Sequence, residues 1–211
     1  VQGVAEANLY NAGQDCAAGT RVIVQEGIAK EFTAALAKKV AEFKFGAPEN
    51  DDHFYGALNS QNQLDRVQGF IDRLPSHAEI LTGGKAQRLN GGYYFEPTLI
   101  AGLKQDDEMI QTEVFASVQT IQTFKDEAQA IQMANDVDFG LAASIWSENH
   151  GKVIRTSQDL DFGQVWVNCH LVQAAEMPNG GFKHSGHGND LSTEAIEGYT
   201  RVKHVMSLTG R

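Results

Sequence analysis

The chain has 211 residues, 42% of them hydrophobic, and a formal net charge of -10 at pH 7. That is enough to bury one sizeable core, and one large domain is expected. The acidic balance argues against a nucleic-acid partner, which needs clustered Lys and Arg, and no apolar run approaches the roughly 20 residues that span a bilayer.

Val1 to Leu9 already reads as the middle of a helix, which points to polypeptide upstream. The start Val1-Gln2-Gly3-Val4-Ala5-Glu6 lacks the basic region of a signal peptide, so a soluble, cytoplasmic protein is expected. Arg21-Val22-Ile23-Val24-Gln25 reads as a buried strand. Ile28, Phe32, Leu36, Val40 and Phe43 recur at three- and four-residue spacing, which predicts an amphipathic helix over residues 28–43. Further on, strand-like runs at 79–81, 118–124, 141–146 and 165–167 alternate with helical patterns at 126–135 and 149–158. That alternation predicts an α/β fold with an open, largely parallel sheet flanked by helices. Gly46-Ala47-Pro48, Gly83-Gly84, Asn90-Gly91-Gly92 and Pro178-Asn179-Gly180-Gly181 read as loops, none long enough to separate domains. Residues 200–208 alternate enough to form a terminal strand, suited to the sheet edge of another subunit.

Cys16 and Cys169 are the two cysteines, too few and too far apart for a disulfide framework, and both are expected to be reduced. Cys16 lies between the first helix and the strand at 21–25, on a loop at a sheet end. In open α/β sheets, sites concentrate at the carboxyl ends of strands. Taken alone, a single cysteine is more often a small buried hydrophobe. Gly186-His187-Gly188 lacks the third glycine and preceding strand of a dinucleotide fingerprint, and Gly181-Phe182-Lys183-His184-Ser185 lacks the Lys-Ser step of a phosphate-binding loop. His184 and His187 have no third ligand in a recognisable pattern, so no metal is expected.

The ordered set Asn11-x-Gly13-Gln14-x-Cys16, Thr112-Glu113-Val114-Phe115, Ala134-Asn135 with Phe139-Gly140-Leu141-Ala142-Ala143, Val165-Trp166-Val167-Asn168, Pro178-x-Gly180-Gly181-x-Lys183-x-Ser185-Gly186-x-Gly188 and Tyr199-Thr200-x-x-Lys203 resembles the aldehyde dehydrogenase superfamily over essentially the whole chain. The resemblance implies that residues 1–211 form the catalytic domain, without the Rossmann-type cofactor domain that supplies the adenine site, a general-base Glu and an oxyanion-stabilising Asn. It implies Cys16 as the nucleophile, adding to an aldehyde to give a thiohemiacetal and then a thioester. Glu113 resembles the glutamate that accepts hydrogen bonds from the nicotinamide ribose, and Phe115 the ring packed beside the nicotinamide. Where the family usually continues Gly-Pro, this chain has Ala116-Ser117. His170, Leu171, Gln173, Glu176 and Asn179 fall in the segment that resembles the aldehyde tunnel loop. The run from Gly188 to Met206 is most similar to the γ-aminobutyraldehyde dehydrogenase branch.

The implied cofactor is NAD, with NADP as an alternative, and the implied partners are a small aldehyde and further copies of the chain. On its own the chain is expected to be inactive. A non-enzymatic homo-oligomerising module and a thiol-dependent esterase are the competing readings.

Overall fold

The computed structural model describes residues 1–210. The chain enters on α1 (Gln2–Leu9), turns through a short 3-10 segment and a loop, and forms β1 (Arg21–Gln25) and the long helix α2 (Glu26–Glu42). After α3 (Gln61–Asp72) come β2 (Glu79–Thr82), the hairpin β3 (Ala86–Leu89) and β4 (Gly92–Phe95), and then β5 (Thr98–Ala101). The short α4 (Glu108–Gln111) precedes β6 (Val118–Phe124), α5 (Glu127–Asn135), β7 (Phe139–Gly140), β8 (Ala142–Ile145), α6 (His150–Asp159) and β9 (Gln164–Val167). The chain closes with β10 (Phe182–Lys183) and α7 (Ser192–Tyr199).

The expected α/β architecture is present. The main sheet has the order β1-β6-β5-β2, with β1, β6 and β5 parallel and β2 antiparallel at the far edge. A second parallel pair, β8 with β9, stands apart, and two small antiparallel pairs, β3 with β4 and β7 with β10, fasten loops. Side chains fix the helix starts. Ser60 accepts from the Gln63 amide at the head of α3, Asp126 from Gln129 at α5 and Asn149 from Lys152 at α6, each satisfying an orphan N–H of a first turn. One cluster joins Leu36 and Val40 of α2, Leu64, Val67 and Phe70 of α3, and the strands β5 and β6.

The sequence patterns at 21–25 and 118–124 match β1 and β6 residue for residue. Several elements were not anticipated, the strand β5 of the main sheet and the helices α4 and α7 among them. α3 is a polar helix with a narrow apolar stripe, and Asn90-Gly91 is the tight turn of a hairpin, both residues taking positive φ, rather than a plain loop. The expected strand near 200–208 is not formed within this chain. Residues 201–210 join no ladder, and Val202, Val205, Met206 and Leu208 are exposed, because a strand needs a paired edge and none within the chain lies beside them. Among the described residues no helix is long and apolar enough to cross a membrane, and no cluster of His, Cys, Asp or Glu is arranged to hold a metal ion.

Candidate active site

The approach to Cys16 is a backbone device. Asn11, Ala12 and Gly13 lie consecutively in the left-handed region, with φ of 49°, 59° and 70°, a conformation that costs energy for Ala and needs support. Support comes from a second loop. A Cβ at Gly13 would lie 2.0 Å from the Ala116 carbonyl oxygen, so the two loops touch backbone to backbone. Gln14 pins the first loop to its surroundings, accepting from the Asn59 amide at 2.8 Å and donating to the Ala57 carbonyl at 3.3 Å.

The second loop carries Glu113 and Phe115, and Phe115 is itself left-handed at φ 59°. α3 holds it: Gln63 donates to the Val114 and Phe115 carbonyls at 3.0 and 2.8 Å, and Arg66 donates to the Val114 carbonyl at 2.6 Å and to that of Glu113. These clamps were missed in the sequence because α3 was. The signal was there in the Ser60-x-x-Gln63 start and the three- to four-residue spacing of Leu64, Val67 and Phe70. At the departure from the family pattern, the buried Ser117 hydroxyl donates to the Phe95 carbonyl at 3.1 Å, and the Thr98 amide donates to the Ser117 carbonyl at 2.9 Å. This tie seats Ser117 at the head of β6.

Cys16, Glu113, Phe115 and His170 line one groove of about 950 Å³. Its position corrects one expectation. Cys16 leads into β1 and Glu113 into β6, so the thiol lies at the amino ends of these parallel strands, not at their carboxyl ends. The loop after β9 folds back to reach it, bringing the His170 ring nitrogen Nε2 to 2.7 Å from the Ala17 carbonyl. Burial holds the His170 pKa below its ordinary value, so the neutral ring donates from Nε2, and its buried Nδ1 has no partner.

Cys16 is exposed as a residue, yet its thiol pKa is raised. Partial desolvation of the sulfur is the largest cause and the Asp15 carboxylate the next. The backbone N–H groups of Cys16 and Ala17 pull the other way, and Glu113 adds a smaller push upward. Asp15 is held in place by accepting from the Ala17 amide at 2.7 Å. The site therefore exposes a thiol whose surroundings favour its protonated form.

Of the tunnel residues expected from the sequence, Leu171 lines a smaller cavity of about 490 Å³, shared with His170, Glu6, Tyr10, Phe54 and Trp146. Gln173 and Glu176 are exposed and line neither cavity. Asn179 is half-buried further along the connection from β9 to β10, paired with Asp190 through the backbone and accepting from the Gln164 side chain, and it lines neither cavity. Other motif residues have architectural work: Lys183 Nζ donates to the Asn135 and Val137 carbonyls at 2.9 and 2.7 Å, and Ser185 accepts from the Gly140 amide at 2.8 Å.

Comparison with known proteins bears on this geometry. The model of the aldehyde dehydrogenase family matches residues 1–205. An aldehyde dehydrogenase of Emericella nidulans is 41% identical over 198 residues, 93% of this chain and 40% of that protein. A betaine aldehyde dehydrogenase of Bacillus subtilis is 35% identical over 205 residues, 95% of this chain and 42% of that protein. Among solved structures, a betaine aldehyde dehydrogenase of Staphylococcus aureus in complex with NAD+ superposes with a TM-score of 0.90 at 34% identity, covering 93% of this chain and 40% of that one. An aldehyde dehydrogenase of Bacillus cereus gives a TM-score of 0.91 at 32% identity, covering 95% of this chain and 41% of that one. The chain spans about 40% of the length of the relatives it matches. With a family match across nearly its whole length and a thiol loop braced against the Glu113–Phe115 loop, the chain belongs to the aldehyde dehydrogenase family.

Proposed function

We propose that the chain is the thiol-bearing catalytic portion of an NAD-dependent aldehyde dehydrogenase that oxidises an aldehyde to its carboxylic acid. One observation carries this reading: Cys16, Glu113 and Phe115, separated by about half the sequence, line one groove on two loops that brace each other.

Cys16 acts as its thiolate, the sulfur forming a bond to the aldehyde carbon. We assign its own backbone N–H as a donor to the oxyanion that results. His170, whose Nε2–H is committed to the Ala17 carbonyl, holds the loop after β9 against the thiol loop rather than moving a proton. A nicotinamide held at this groove would supply the acceptor for the hydride that leaves this carbon, and water then cleaves the carbon–sulfur bond of the resulting thioester, releasing the carboxylic acid and the Cys16 thiol. Glu113, exposed at the groove, offers two oxygens to a ribose diol, and Phe115 offers an apolar ring face. The residues present fit that end of the cofactor alone. We assign its adenosine half to the stretch of the relatives' length that this chain does not match, and on that assignment the chain alone forms no NADH.

The substrate class we assign is a short aldehyde with a cationic amino end. Tyr10, Phe54 and Trp146 surround the smaller cavity with Glu6, and aromatic faces beside a carboxylate suit an ammonium group. Relatives named for betaine aldehyde, itself a quaternary ammonium compound, support this, as does the likeness of the 188–206 run to the γ-aminobutyraldehyde branch.

The test is acylation with p-nitrophenyl acetate read by peptide mass, alongside NADH formation by the full-length gene product. Acyl label on Cys16, with NADH formation lost in Cys16→Ala and kept in Cys169→Ala, is expected. Label on Cys16 with no NADH from any aldehyde would instead favour a thiol-dependent esterase. Equal, slow labelling of both cysteines would favour a non-enzymatic module. Preference for 4-aminobutanal over butanal in kcat/KM, reduced by Glu6→Gln, is the check on substrate class.

A further inference from the structure

Where α1 meets β6, Ala5 and Leu9 of the helix and Val118 and Ile121 of the strand are buried, and two polar side chains are buried with them: Asn8 of α1 and Gln119 of β6 are 0% and 1% exposed. Their amides cross. Asn8 Nδ2 donates to the Val118 carbonyl at 3.3 Å. Gln119 Nε2 reaches back to the Val4 carbonyl of α1 at 3.0 Å and to the Gly19 carbonyl, just past Cys16, at 2.6 Å. Among the described residues, each amide oxygen is left buried without a donor. An apolar side chain of similar size would fill the same space without that penalty. What the amides add is register, because a hydrogen bond fixes one alignment where apolar packing lets neighbours slide.

They add it where the sheet stops. The ladder of β1 with β6 starts at Arg21 opposite Thr120, with the Thr120 amide and hydroxyl donating to the Thr20 carbonyl at 2.9 and 3.3 Å. The Thr20 amide turns instead to the Ala18 carbonyl at 2.9 Å, and the Ala18 amide donates to the Asp15 carbonyl at 3.0 Å, closing the turn that carries Cys16. Gly19 donates its amide to the Ala7 carbonyl of α1 at 2.8 Å, and its own carbonyl takes the Gln119 side chain. At this end of the strands, side-chain amides therefore continue the pairing that the backbone of the turn gives up.

We propose that Asn8 and Gln119 are positioning residues for the nucleophile: together they lock the Cys16 turn against the head of β6, and so aim the Cys16 sulfur and backbone N–H at a carbonyl in the groove. This rests on the reading of Cys16 as the group that is acylated. Neither amide lines the groove, so both act only through the turn and through the Glu113–Phe115 loop that runs into β6.

The test separates aim from stability in the 211-residue chain. Two reagents report on Cys16, read by peptide mass with Cys169 as internal reference. With p-nitrophenyl acetate the thiolate adds to the carbonyl carbon, through a tetrahedral oxyanion that needs a donor in place, and expels p-nitrophenolate. With iodoacetamide it displaces iodide and forms no oxyanion. Gln119→Met is expected to lower the ratio of acylation to alkylation at Cys16 about tenfold, to leave that at Cys169 unchanged, and to speed amide exchange at residues 17–20 about tenfold. Asn8→Ala, which removes one bond instead of two, is expected to lower the Cys16 ratio about two- to threefold, and it decides the matter should Gln119→Met not fold. The control is Leu103→Ala, a buried truncation beyond the carboxyl end of β5 and so at the other end of the sheet from the thiol; it is expected to lower stability and to move neither readout. Unchanged exchange in the amide variants, faster exchange with an unchanged ratio, or equal changes in Leu103→Ala would overturn the proposal. A Cys16 ratio no higher than that of Cys169 in the unchanged chain would overturn the functional reading itself, and exchange at 17–20 would then decide alone whether the amides lock the turn.

Discussion

β5 and β6 on the one hand, and β1 and β8 on the other, are short parallel strands of similar apolar character, but they live in different surroundings. Leu99 and Ile100 of β5 are fully buried, and the first five residues of β6 are buried, polar Gln119, Thr120 and Gln122 included. Val22 and Ile23 of β1 and all four residues of β8 are only half-buried. Apolar composition therefore sets what a strand can bury, and a neighbour on each side decides whether it does.

The largest effect that separates the two regions is cavity formation. Leu99→Ala should cost about 3–5 kcal/mol in urea unfolding, whereas Val22→Ala, at the half-open groove, should cost about 1 kcal/mol or less. Equal losses would mean that β1 is as enclosed as β5. Next comes the clamp between α3 and the Glu113 loop. Arg66→Ala should cost about 1 kcal/mol, low for hydrogen bonds from a charged group because Arg66 is exposed. Faster amide exchange at residues 113–115, with β5 unaffected, would localise that loss to the site side of the molecule.

His170 sharpens the comparison through pH. Its folded pKa is depressed, so the neutral ring's contribution is present in full above the ordinary value of about 6.5 and is lost as pH falls through the lower folded value. Stability should therefore drop less between about pH 7.5 and pH 5 in His170→Gln than in the unchanged chain. An identical drop would show that the ring is not buried against Ala17. The smallest expected effect belongs to Asp15. Asp15→Asn keeps an oxygen for the Ala17 amide but removes a negative charge beside the thiol, so the Cys16 pKa should fall and alkylation by iodoacetamide at neutral pH should rise about two- to threefold. Slower alkylation would mean that Asp15 assists the thiolate.

Strands and helices with strong periodicity were legible because burial and pattern agree there. Val118 to Phe124 is a run of β-prone residues that the core covers, and its boundaries coincide with the sequence reading. The hairpin at Asn90-Gly91 was harder, because its strands, Ala86–Leu89 and Gly92–Phe95, have little alternation to frame a clear turn signal. At the site, Cys16, Glu113, Phe115 and His170 line one groove, since each lies near a strand end that the fold fixes. Gln173, Glu176 and Asn179 do not, because a resemblance along the sequence carries position in a loop and not the path of that loop. The end of the strand was misjudged for a related reason: a general rule about carboxyl ends gave way to the order of Cys16 and β1 in this chain.

The contact between Gly13 and Ala116 has a consequence for variation. Because the two loops meet through backbone atoms, any side chain at position 13 would meet the carbonyl of Ala116 whatever its polarity. Side chains at Asp15 and Glu113 can be exchanged without moving either main chain, but one residue added or removed between Gly13 and Cys16 would displace the sulfur along the groove. In a randomised library of this region selected for folding alone, positions 15 and 113 should accept many residues while position 13 and the length of the loop stay fixed, so that the separation of the thiol from the Glu113–Phe115 loop behaves as a gauge set by glycine.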